Sequence, residues 1–235
     1  VHQDKSCVMI LLVTGSHHAW AAESELRRVA DFEKTHNAIY LPRMIQPSPY
    51  VLNRSLQLAD ACLLIGNQTT QATFPPEFQT KLRRIPVTGS PTTHVKAYGR
   101  RSGGYLFFSS PRCVLKGLDL VLDSFIRHSE RKLHVVGDFR SEPDFFAAYP
   151  DLPRRDNIVF HGFLQPSSAR LAEIVDACDA FVFPSCSEGM STSCITCLQL
   201  GLFPIVTEHA CIDLPERCGI WIADYTEAAV SSALD

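Results

Sequence analysis

Polar residues follow a predicted strand in the segment 183–201, FPSCSEGMSTSCITCLQLG. The strand ends at Pro184, Glu188 and Gly189 come next, and Ser191 is the first of three hydroxyl residues that open a helix. Gly189 permits close approach of the backbone, and the N–H groups and dipole at a helix start favour a phosphate. Glu188 would repel a phosphate, so we expect it to accept hydrogen bonds from hydroxyl groups, such as those of a sugar. The alternative is that the hydroxyls only cap the helix and Glu188 is solvated.

Two cations lie in a second strand-to-helix turn, within the segment 107–125, FFSSPRCVLKGLDLVLDSF. Arg112 and Lys116 come just after a strand and just before a helix. Two positive charges at that position can neutralise a diphosphate. Ordinary surface charge is the alternative, but both turns are expected at one edge of one sheet, and this convergence favours a site.

Histidines follow the first predicted strand, in the segment VTGSHHAWAAESEL. His17 or His18 can orient a reacting group or provide a polar contact in a cleft. Their alternative role is to begin the next helix. His209 follows a later strand and can line the same edge, whereas His161 is expected in the core or at its rim.

The elements that must position these residues alternate between strand-like and helix-like patterns. Residues 7–14 form a continuous apolar run, typical of a parallel strand buried on both faces, and residues 19–35 have helical spacing with Ala22, Leu26, Val29 and Phe32 on one side. A strand at 61–66, a helix reaching about residue 82 and a short strand at 84–89 follow. The polar, glycine-rich stretch 90–104 is typical of a linker.

A regular series of strands and helices occupies the remaining chain. Strands are predicted at 104–110, 132–137, 157–162, 179–184, 202–207 and 219–224, with helices at 116–128, 142–149, 167–178, 190–201 and in the tail. Repeated strand–helix units indicate doubly wound parallel α/β sheets. Ligands of such sheets bind beyond the carboxyl ends of the strands, which is where the three turns lie.

Composition excludes several classes of protein. The chain has 235 residues, 46% of them hydrophobic and 20% charged, which is typical of a globular protein. The net charge of −3 does not suit nucleic acid. No apolar run reaches the ~18 residues of a membrane span, and no signal peptide is recognised. No P-loop, GxGxxG or GxSxG motif occurs.

The nine cysteines are expected to be mostly buried free thiols in a reducing, cytoplasmic compartment. Cys194 and Cys197 lack the further ligands of a zinc site, so no metal is expected. The chain begins at Val1 and soon enters a strand, which suggests a piece of a longer polypeptide.

Residues 105–222 resemble the nucleotide-sugar-binding domain of GT-B glycosyltransferases of family 4, the glycosyl transferases group 1 type. The similarity runs through KGLDLVLDSF, KLHVVG, NIVFHGFL, LAEIVDACDAFVFPSCSEG, GLFPIVT and GIWI in that order. ADACLLIGNQTT and RIPVTGSP resemble the later part of the companion N-terminal domain. HHAW, KGLDL and PSCSEG…ITC…GLFPIVT are closest to a bacterial subgroup.

The resemblance implies two Rossmann-like domains. Residues 1–98 would be an N-terminal, acceptor-side domain lacking its early strands and its glycine-rich loop, with a linker to about 104. Residues 105–235 would bind the donor. The linker would act as the hinge for closure of the cleft.

It also implies roles for particular residues. Lys116 and Arg112 would hold the donor diphosphate, and Glu188 would contact the sugar. His18 lies where the family often carries a histidine near the reaction centre. Phe163 would lie beside the base, and Thr196 would contact the ribose. The phosphate or the sugar would accept hydrogen bonds from the backbone N–H groups of four consecutive residues: Gly189, Met190, Ser191 and Thr192. Thr196 stands where the family has a second glutamate, and Ser-Ser-Pro-Arg replaces its usual Gly-Arg.

The implied activity is a hexosyltransferase-like transfer from a nucleotide-diphosphate sugar to a glycan or lipid-linked acceptor, retaining and without metal or other cofactor, in bacterial polysaccharide biosynthesis. Any docking on a membrane surface would use a part of the protein outside this sequence, which has no basic amphipathic helix. Two alternatives stay open: a sugar-nucleotide-binding or scaffold module without turnover, suggested by Thr196, and a sugar-nucleotide epimerase. The epimerase would need further carboxylates beside Glu188.

Overall fold

Two parallel β-sheets organise the chain. The computed structural model describes residues 7–43, 49–97, 99 and 101–235. The predicted domain limits at residues 1 and 98, and residue 100 of the predicted linker, lie outside the described residues. The division into domains 1–98 and 105–235 stays a prediction.

The first sheet has three strands in the order β1-β2-β3, and the second has six in the order β6-β5-β4-β7-β8-β9. The strands are β1 (Ile10–Val13), β2 (Ala61–Ile65), β3 (Leu82–Ile85), β4 (Gly104–Phe108), β5 (Lys132–Val136), β6 (Ile158–Phe160), β7 (Cys178–Phe183), β8 (Phe203–Val206) and β9 (Ile220–Trp221). Every strand pair of the described residues is parallel. Because the second sheet reverses direction of winding at β4, its β4 and β7 turns face one crevice.

Nine α-helices of the described chain connect and cover the strands. They are α1 (His18–His36), α2 (Pro49–Leu58), α3 (Gln68–Ala72), α4 (Pro76–Gln79), α5 (Leu118–Arg127), α6 (Pro143–Ala147), α7 (Ala169–Asp176), α8 (Thr192–Gln199) and α9 (Glu227–Leu234). The strand–helix series predicted for the second sheet is confirmed throughout. Gly201, with φ +86°, ends the α8 region as expected.

Strand β1 differs from its prediction of burial on both faces. Ile10 is 60% and Leu12 54% exposed, whereas Val13 is buried. In the described part of the chain β1 stands at the end of the first sheet and pairs with β2.

Helix α1 departs from its prediction at one position, Leu26, which is 55% exposed, and it also buries Glu25 and Arg28. The other three residues predicted for its apolar side are buried: Ala22, Val29 and Phe32. Val29 and Phe32 belong to the main core, which is centred on the second sheet. The helix therefore packs across to the second sheet, and polar residues on its buried face meet polar partners there.

The helix predicted to reach residue 82 is two short helices, α3 and α4. Pro75 and Pro76 separate them, and Pro76 begins α4 because proline suits the first helical position. β3 then starts at Leu82, earlier than predicted, and its Leu82 side chain joins the core of the first sheet.

The segment between the sheets has no regular structure in its described residues, as predicted, but it is tied to the second sheet. The Lys96 backbone N–H donates to Leu200, and its Nζ donates to Asp179 at 2.7 Å and to the Cys178 carbonyl. Ser90 donates its N–H to Thr196 at 2.9 Å. These bonds attach Ser90 and Lys96 to the second sheet, and the hinge expected near 90–104 stays a prediction.

A buried ion pair joins helices α1 and α5. Arg28 of α1 donates to Asp119 in the first turn of α5, and both side chains are at most 5% exposed. Burial raises the pKa of Asp119 to about 6, and Arg28 opposes that rise. Removing one partner of such a pair leaves a buried charge without compensation, so the pair specifies how α1 sits on α5.

Most of the cysteines are buried, as predicted: Cys62, Cys113, Cys178, Cys186, Cys194, Cys197 and Cys211 are free thiols below the surface. Within the part of the chain described, every helix is too short or too polar to cross a membrane.

Replacing Gly117, the residue before α5, tests how tightly the turn that carries Arg112 and Lys116 packs on the second sheet. Its φ is +76°, and an added Cβ would lie 2.4 Å from the Pro184 carbonyl oxygen. We expect Gly117→Ala to lower the free energy of unfolding by about 3 kcal/mol, from left-handed strain and collision with backbone. Urea denaturation followed by circular dichroism measures it.

Gly162→Ala is the matched control. Gly162 has φ +69° with no atom within 4 Å of an added Cβ, so only the backbone cost of about 1 kcal/mol is expected there. Equal losses in the two variants would contradict the close packing of Gly117 on Pro184.

Candidate functional site

A cleft of about 460 Å³ lies between the turn after β1 and the turns after β4 and β7. His18, Arg112, Glu188 and Gly189 are the predicted site residues that line it. Their elements come from both sheets, and in each case the side chain follows the carboxyl end of a strand. The convergence of the three turns that the sequence predicts is therefore present in the structure.

Lys116 and Glu188 form an ion pair beside this cleft. Lys116 Nζ lies 2.6 Å from Glu188 Oε1, and each side chain is 13% exposed. Lys116 Nζ also lies 5.6 Å from the centre of the Phe183 ring, a position in which the ring face attracts a cation. Glu188 lines the cleft, whereas Lys116 is not among its lining residues and lies behind Glu188. An ammonium group has three N–H donors, and among the described side chains that of Lys116 is bonded to Glu188.

Backbone and hydroxyl contacts hold the Glu188 turn in place. Ser185 Oγ donates to Glu188 Oε1 at 3.0 Å, and the Cys186 N–H donates to the Leu115 carbonyl at 2.9 Å. Ser16, from the β1 turn, donates to the Glu188 carbonyl at 2.5 Å. Ser185 thus holds the carboxylate itself, while the other two bonds hold the backbone of the turn that carries it, each by satisfying a polar group withdrawn from water.

Arg112 lies on the turn after β4 with an unusual backbone. Its φ is +87°, in the left-handed region that residues other than glycine rarely adopt. The side chain is exposed and lines the cleft opposite Glu188. Lys116 donates its backbone N–H to the Arg112 carbonyl at 2.9 Å, so one tight turn carries both predicted cations.

Gly189 serves a different close approach from the one predicted. An added Cβ would lie 2.6 Å from the Thr14 carbonyl oxygen and 2.9 Å from that of Ile65. The Gly189 carbonyl also accepts the Thr70 hydroxyl. The absence of a side chain is thus required by contact with the ends of β1 and β2.

The residues at the start of α8 do not line the cleft. Ser191 is 3% exposed, caps α8 by accepting the Cys194 N–H, and donates its own N–H to Ala210. Met190 packs against the core, and Thr192 is exposed but outside the cleft lining. The prediction that Ser191 offers a backbone N–H to phosphate is wrong here, because that group already has a partner. For Met190 and Thr192 the proposed contact stays a prediction.

Thr196 is unavailable to a ribose in this structure, which corrects its predicted role. Its side chain is fully buried, donates to the Thr192 carbonyl at 2.8 Å and accepts the Ser90 N–H at 2.9 Å. A hydroxyl on the buried face of α8 satisfies the backbone of the inter-sheet segment instead. Position alone could not reveal this, because the partner is distant in sequence.

Phe163 lines a second, more apolar cleft of about 750 Å³ at the ends of β5 and β6. Its side chain is 63% exposed, and the cleft is also lined by Phe139, Phe146 and Phe160. Asp138 and Arg140, bonded to each other at 2.6 Å, stand at its rim. This cleft can accept a flat aromatic group with polar edges.

The histidines divide into structural and cleft-lining ones. His17 is buried, caps α1 and bonds Asn53 at 2.9 Å, so its helix-capping alternative is the one observed. His18 lines the cleft, and its buried Nδ1 has no hydrogen-bond partner among the described residues. Burial, and then the neighbouring His17, lower the pKa of His18, which favours the neutral imidazole.

His161 and His209 lie outside the cleft. His161 stacks on His134 of β5, with Nε2 and Nδ1 2.9 Å apart, at the half-buried rim that was predicted. His209 stacks on Trp20 and bonds the Tyr225 hydroxyl at 2.6 Å. Among the described residues no group of three or more His, Cys, Asp or Glu side chains is arranged to hold a metal ion.

Sequence reasoning missed the residues that support the site. Ser185, Ser16 and Glu142 bond to the turns that carry Glu188 and Arg112. Ser185 directly follows β7, and that position was the available signal for it. Glu142 had none, because it lies far in sequence from the turn that it contacts.

Comparison with known proteins agrees with this geometry. Residues 104–235 match the family model described as Glycosyl transferases group 1. No curated protein matches the chain significantly by sequence. The chain belongs to the glycosyl transferases group 1 family, which confirms the predicted family.

Solved structures share the fold at low sequence identity. S. aureus TarM, crystallised with UDP, fondaparinux and alpha-GlcNAc-glycerol, has a TM-score of 0.65 at 9% identity over 99% of this chain and 44% of its own. WaaG, a glycosyltransferase involved in lipopolysaccharide biosynthesis, has a TM-score of 0.63 at 14% identity, and the match covers 97% of this chain and 65% of WaaG. Sucrose-phosphate synthase from Thermosynechococcus elongatus has a TM-score of 0.64 at 16% identity, and the match covers 79% of this chain and 50% of the synthase. The predicted GT-B fold is confirmed, and the chain spans less than two thirds of each of these proteins.

The Lys116–Glu188 pair can be tested by a double-mutant cycle on stability. We expect Lys116→Met and Glu188→Gln each to destabilise the fold, and the double variant to lose less than the sum of the two. Each single change leaves a poorly solvated charge, so a coupling of about 1–3 kcal/mol is expected. Urea denaturation of the four proteins measures the coupling. Strict additivity would show that the pair is solvated and not held.

Proposed function

We propose that this chain carries the donor-binding half and part of the acceptor side of an enzyme that transfers a sugar from a nucleotide-diphosphate sugar to an acceptor hydroxyl. The observation that carries the proposal is the Lys116–Glu188 pair, whose Glu188 lines one cleft between the two sheets together with Arg112 and His18. A cation and a hydroxyl acceptor in contact suit a ligand in which a diphosphate adjoins a sugar.

The departing diphosphate needs stabilisation of its developing negative charge. The Lys116 ammonium can keep its bond to Glu188 and donate its other protons to phosphate oxygens. Arg112, on the same turn, would add a second charge. These preorganised donors would replace a metal ion, so we propose a metal-independent reaction that needs no other cofactor.

Glu188 and His18 would act at the sugar. Glu188, fixed by Ser185, would accept hydrogen bonds from sugar hydroxyls. His18, kept neutral by burial, would contribute a hydrogen bond near the reaction centre, facing the acceptor. Retention of anomeric configuration is proposed from the family resemblance alone.

The nucleoside would occupy the apolar cleft beside Phe163. Phe139, Phe146 and Phe160 provide surface against which a base can pack. This cleft follows β5 and β6, while the diphosphate cations follow β4. Because neighbouring parallel strands end at one edge, a nucleotide can lie along that edge with its diphosphate towards Lys116.

The acceptor proposed is a glycan or a lipid-linked glycan in bacterial polysaccharide biosynthesis, and the proposed location is cytoplasmic. WaaG acts in lipopolysaccharide biosynthesis, which makes a related pathway a reasonable choice for tests. An export signal or a preference for protein acceptors would contradict this part of the proposal.

Calorimetry with UDP, GDP and ADP tests the donor site. We expect the protein to bind one of them, and Lys116→Ala to weaken that binding about tenfold or more through loss of a charged hydrogen bond. Glu188→Gln should instead tighten binding of the free diphosphate, because it releases Lys116 from a competing negative charge, while it impairs sugar transfer.

The control is Lys132→Ala, a lysine at the amino end of β5 and therefore on the opposite edge of the same sheet. It should leave nucleotide affinity unchanged. If no nucleotide binds, or if Lys116→Ala and Lys132→Ala behave alike, the proposed donor site is wrong.

A non-catalytic sugar-nucleotide-binding or scaffold module is the second candidate, and the burial of Thr196 favours it. Where the family has a second glutamate, this chain has a hydroxyl that is fully occupied in the core. If a side-chain contact to the ribose is essential to catalysis, this chain would bind the nucleotide sugar without transferring its sugar.

Mass spectrometry separates the two candidates. We expect slow hydrolysis of at least one nucleotide sugar from a panel of UDP, GDP and ADP sugars, because water can replace the acceptor, and Glu188→Gln should abolish it. Nucleotide binding with neither hydrolysis nor transfer would support the module instead.

A further inference from the structure

We propose that Glu142 is a positioning residue that holds Arg112 and Lys116 in place for the donor diphosphate and links their turn to the first sheet's half of the chain through Tyr40. The inference rests on the proposed function, since it concerns the same cations. Neither the sequence patterns nor the family match assigns a role to this carboxylate.

Glu142 is a buried carboxylate with an unusual set of partners. It is 1% exposed, and no ion pair found in the described chain involves it. Its Oε1 accepts the Arg112 backbone N–H, and its Oε2 accepts the Cys113 N–H at 2.9 Å and the Tyr40 hydroxyl. A charge buried without a cation is costly unless donors surround it, and here three converge on it.

The two backbone bonds act on the tight turn after β4. Consecutive N–H groups point to one carboxylate only when the chain bends around it, and Arg112 bends through φ +87°. The Arg112 carbonyl then accepts the Lys116 N–H, and Lys116 reaches Glu188. Glu142 therefore lies at the start of a hydrogen-bonded series that ends at the ion pair of the cleft.

The third bond crosses between the two halves. Tyr40 follows α1, is 1% exposed and packs on Phe32 and Phe145. Burial, and next the bond to Glu142, raise the pKa of the Tyr40 hydroxyl, so it stays protonated and keeps donating. The adjacent Leu41 N–H donates to Asp144 at 3.0 Å, which reinforces the same crossing.

A carboxylate is required because all three partners are donors. An amide of the same shape would turn an NH₂ group towards one of them, which replaces an attraction by a repulsion. Glu142→Gln thus alters the geometry of the turn with almost no change in volume. Tyr40→Phe removes only the crossing bond and leaves both backbone bonds in place.

Calorimetry with a nucleoside diphosphate and its nucleoside tests the inference, UDP and uridine being the first pair. We expect Glu142→Gln to weaken UDP binding about tenfold and Tyr40→Phe about threefold. Uridine affinity should change less than twofold in both variants, because the nucleoside does not reach the cations. A loss confined to the diphosphate is a result that general destabilisation would not produce.

Ser124→Ala is the matched control, since it removes a hydrogen bond of a buried α5 side chain to Ser231 at 2.8 Å, a bond that involves no residue of the turn. It should bind UDP like the unaltered protein. Unchanged UDP affinity in Glu142→Gln, or equal losses for UDP and uridine, would overturn the inference.

The outcomes separate this inference from the proposed function. If the unaltered protein binds none of UDP, GDP and ADP, both fail. If it binds one and only Lys116→Ala weakens it, the donor site stands and the role of Glu142 is overturned. Should Glu142→Gln not fold, Tyr40→Phe decides, since its expected diphosphate-specific loss does not depend on changing the carboxylate.

Discussion

The contact between Lys116 and Glu188 is the interaction on which the rest of the site depends. It joins the turns after β4 and β7, which are neighbouring strands of the second sheet. Two opposite charges at 13% exposure are stable only when both are held and hydrogen-bonded. Ser185 supplies that support for the carboxylate, and the bend at Arg112 supplies it for the lysine. The short distance between Lys116 and Glu188 therefore depends on the hydrogen bonds that hold the two turns.

Short polar contacts, more than apolar burial, set how the two sheets meet near the cleft. Ser16, in the turn after β1, donates to the Glu188 carbonyl, and Thr70, in α3, donates to the Gly189 carbonyl. Gly189 admits the ends of β1 and β2 at distances that a side chain would prevent. Because such bonds are directional, they determine the register between the halves, whereas apolar contacts alone would tolerate sliding.

The departures from the family pattern have structural explanations at two positions. Thr196 replaces a carboxylate and is turned to the structural task of holding the segment between the sheets. Arg112 comes after Ser-Ser-Pro where the family has Gly-Arg, and its left-handed backbone is held by Glu142. A residue that leaves a ligand site can thus become part of the core, and a glycine's conformational freedom can be replaced by hydrogen bonds from elsewhere.

Local patterns in the sequence were enough to predict the succession of strands and helices, their parallel arrangement and the three turns of the candidate site, because periodicity and strand-end position are local properties. They also placed Lys116, Glu188, Arg112 and His18 in those turns. The folded chain is needed to show that the polar groups of Ser191 and Thr196 already have partners and that Glu142 reaches Arg112. The reason is physical: whether a polar group is available depends on partners tens of residues away, which folding brings together and local pattern does not encode.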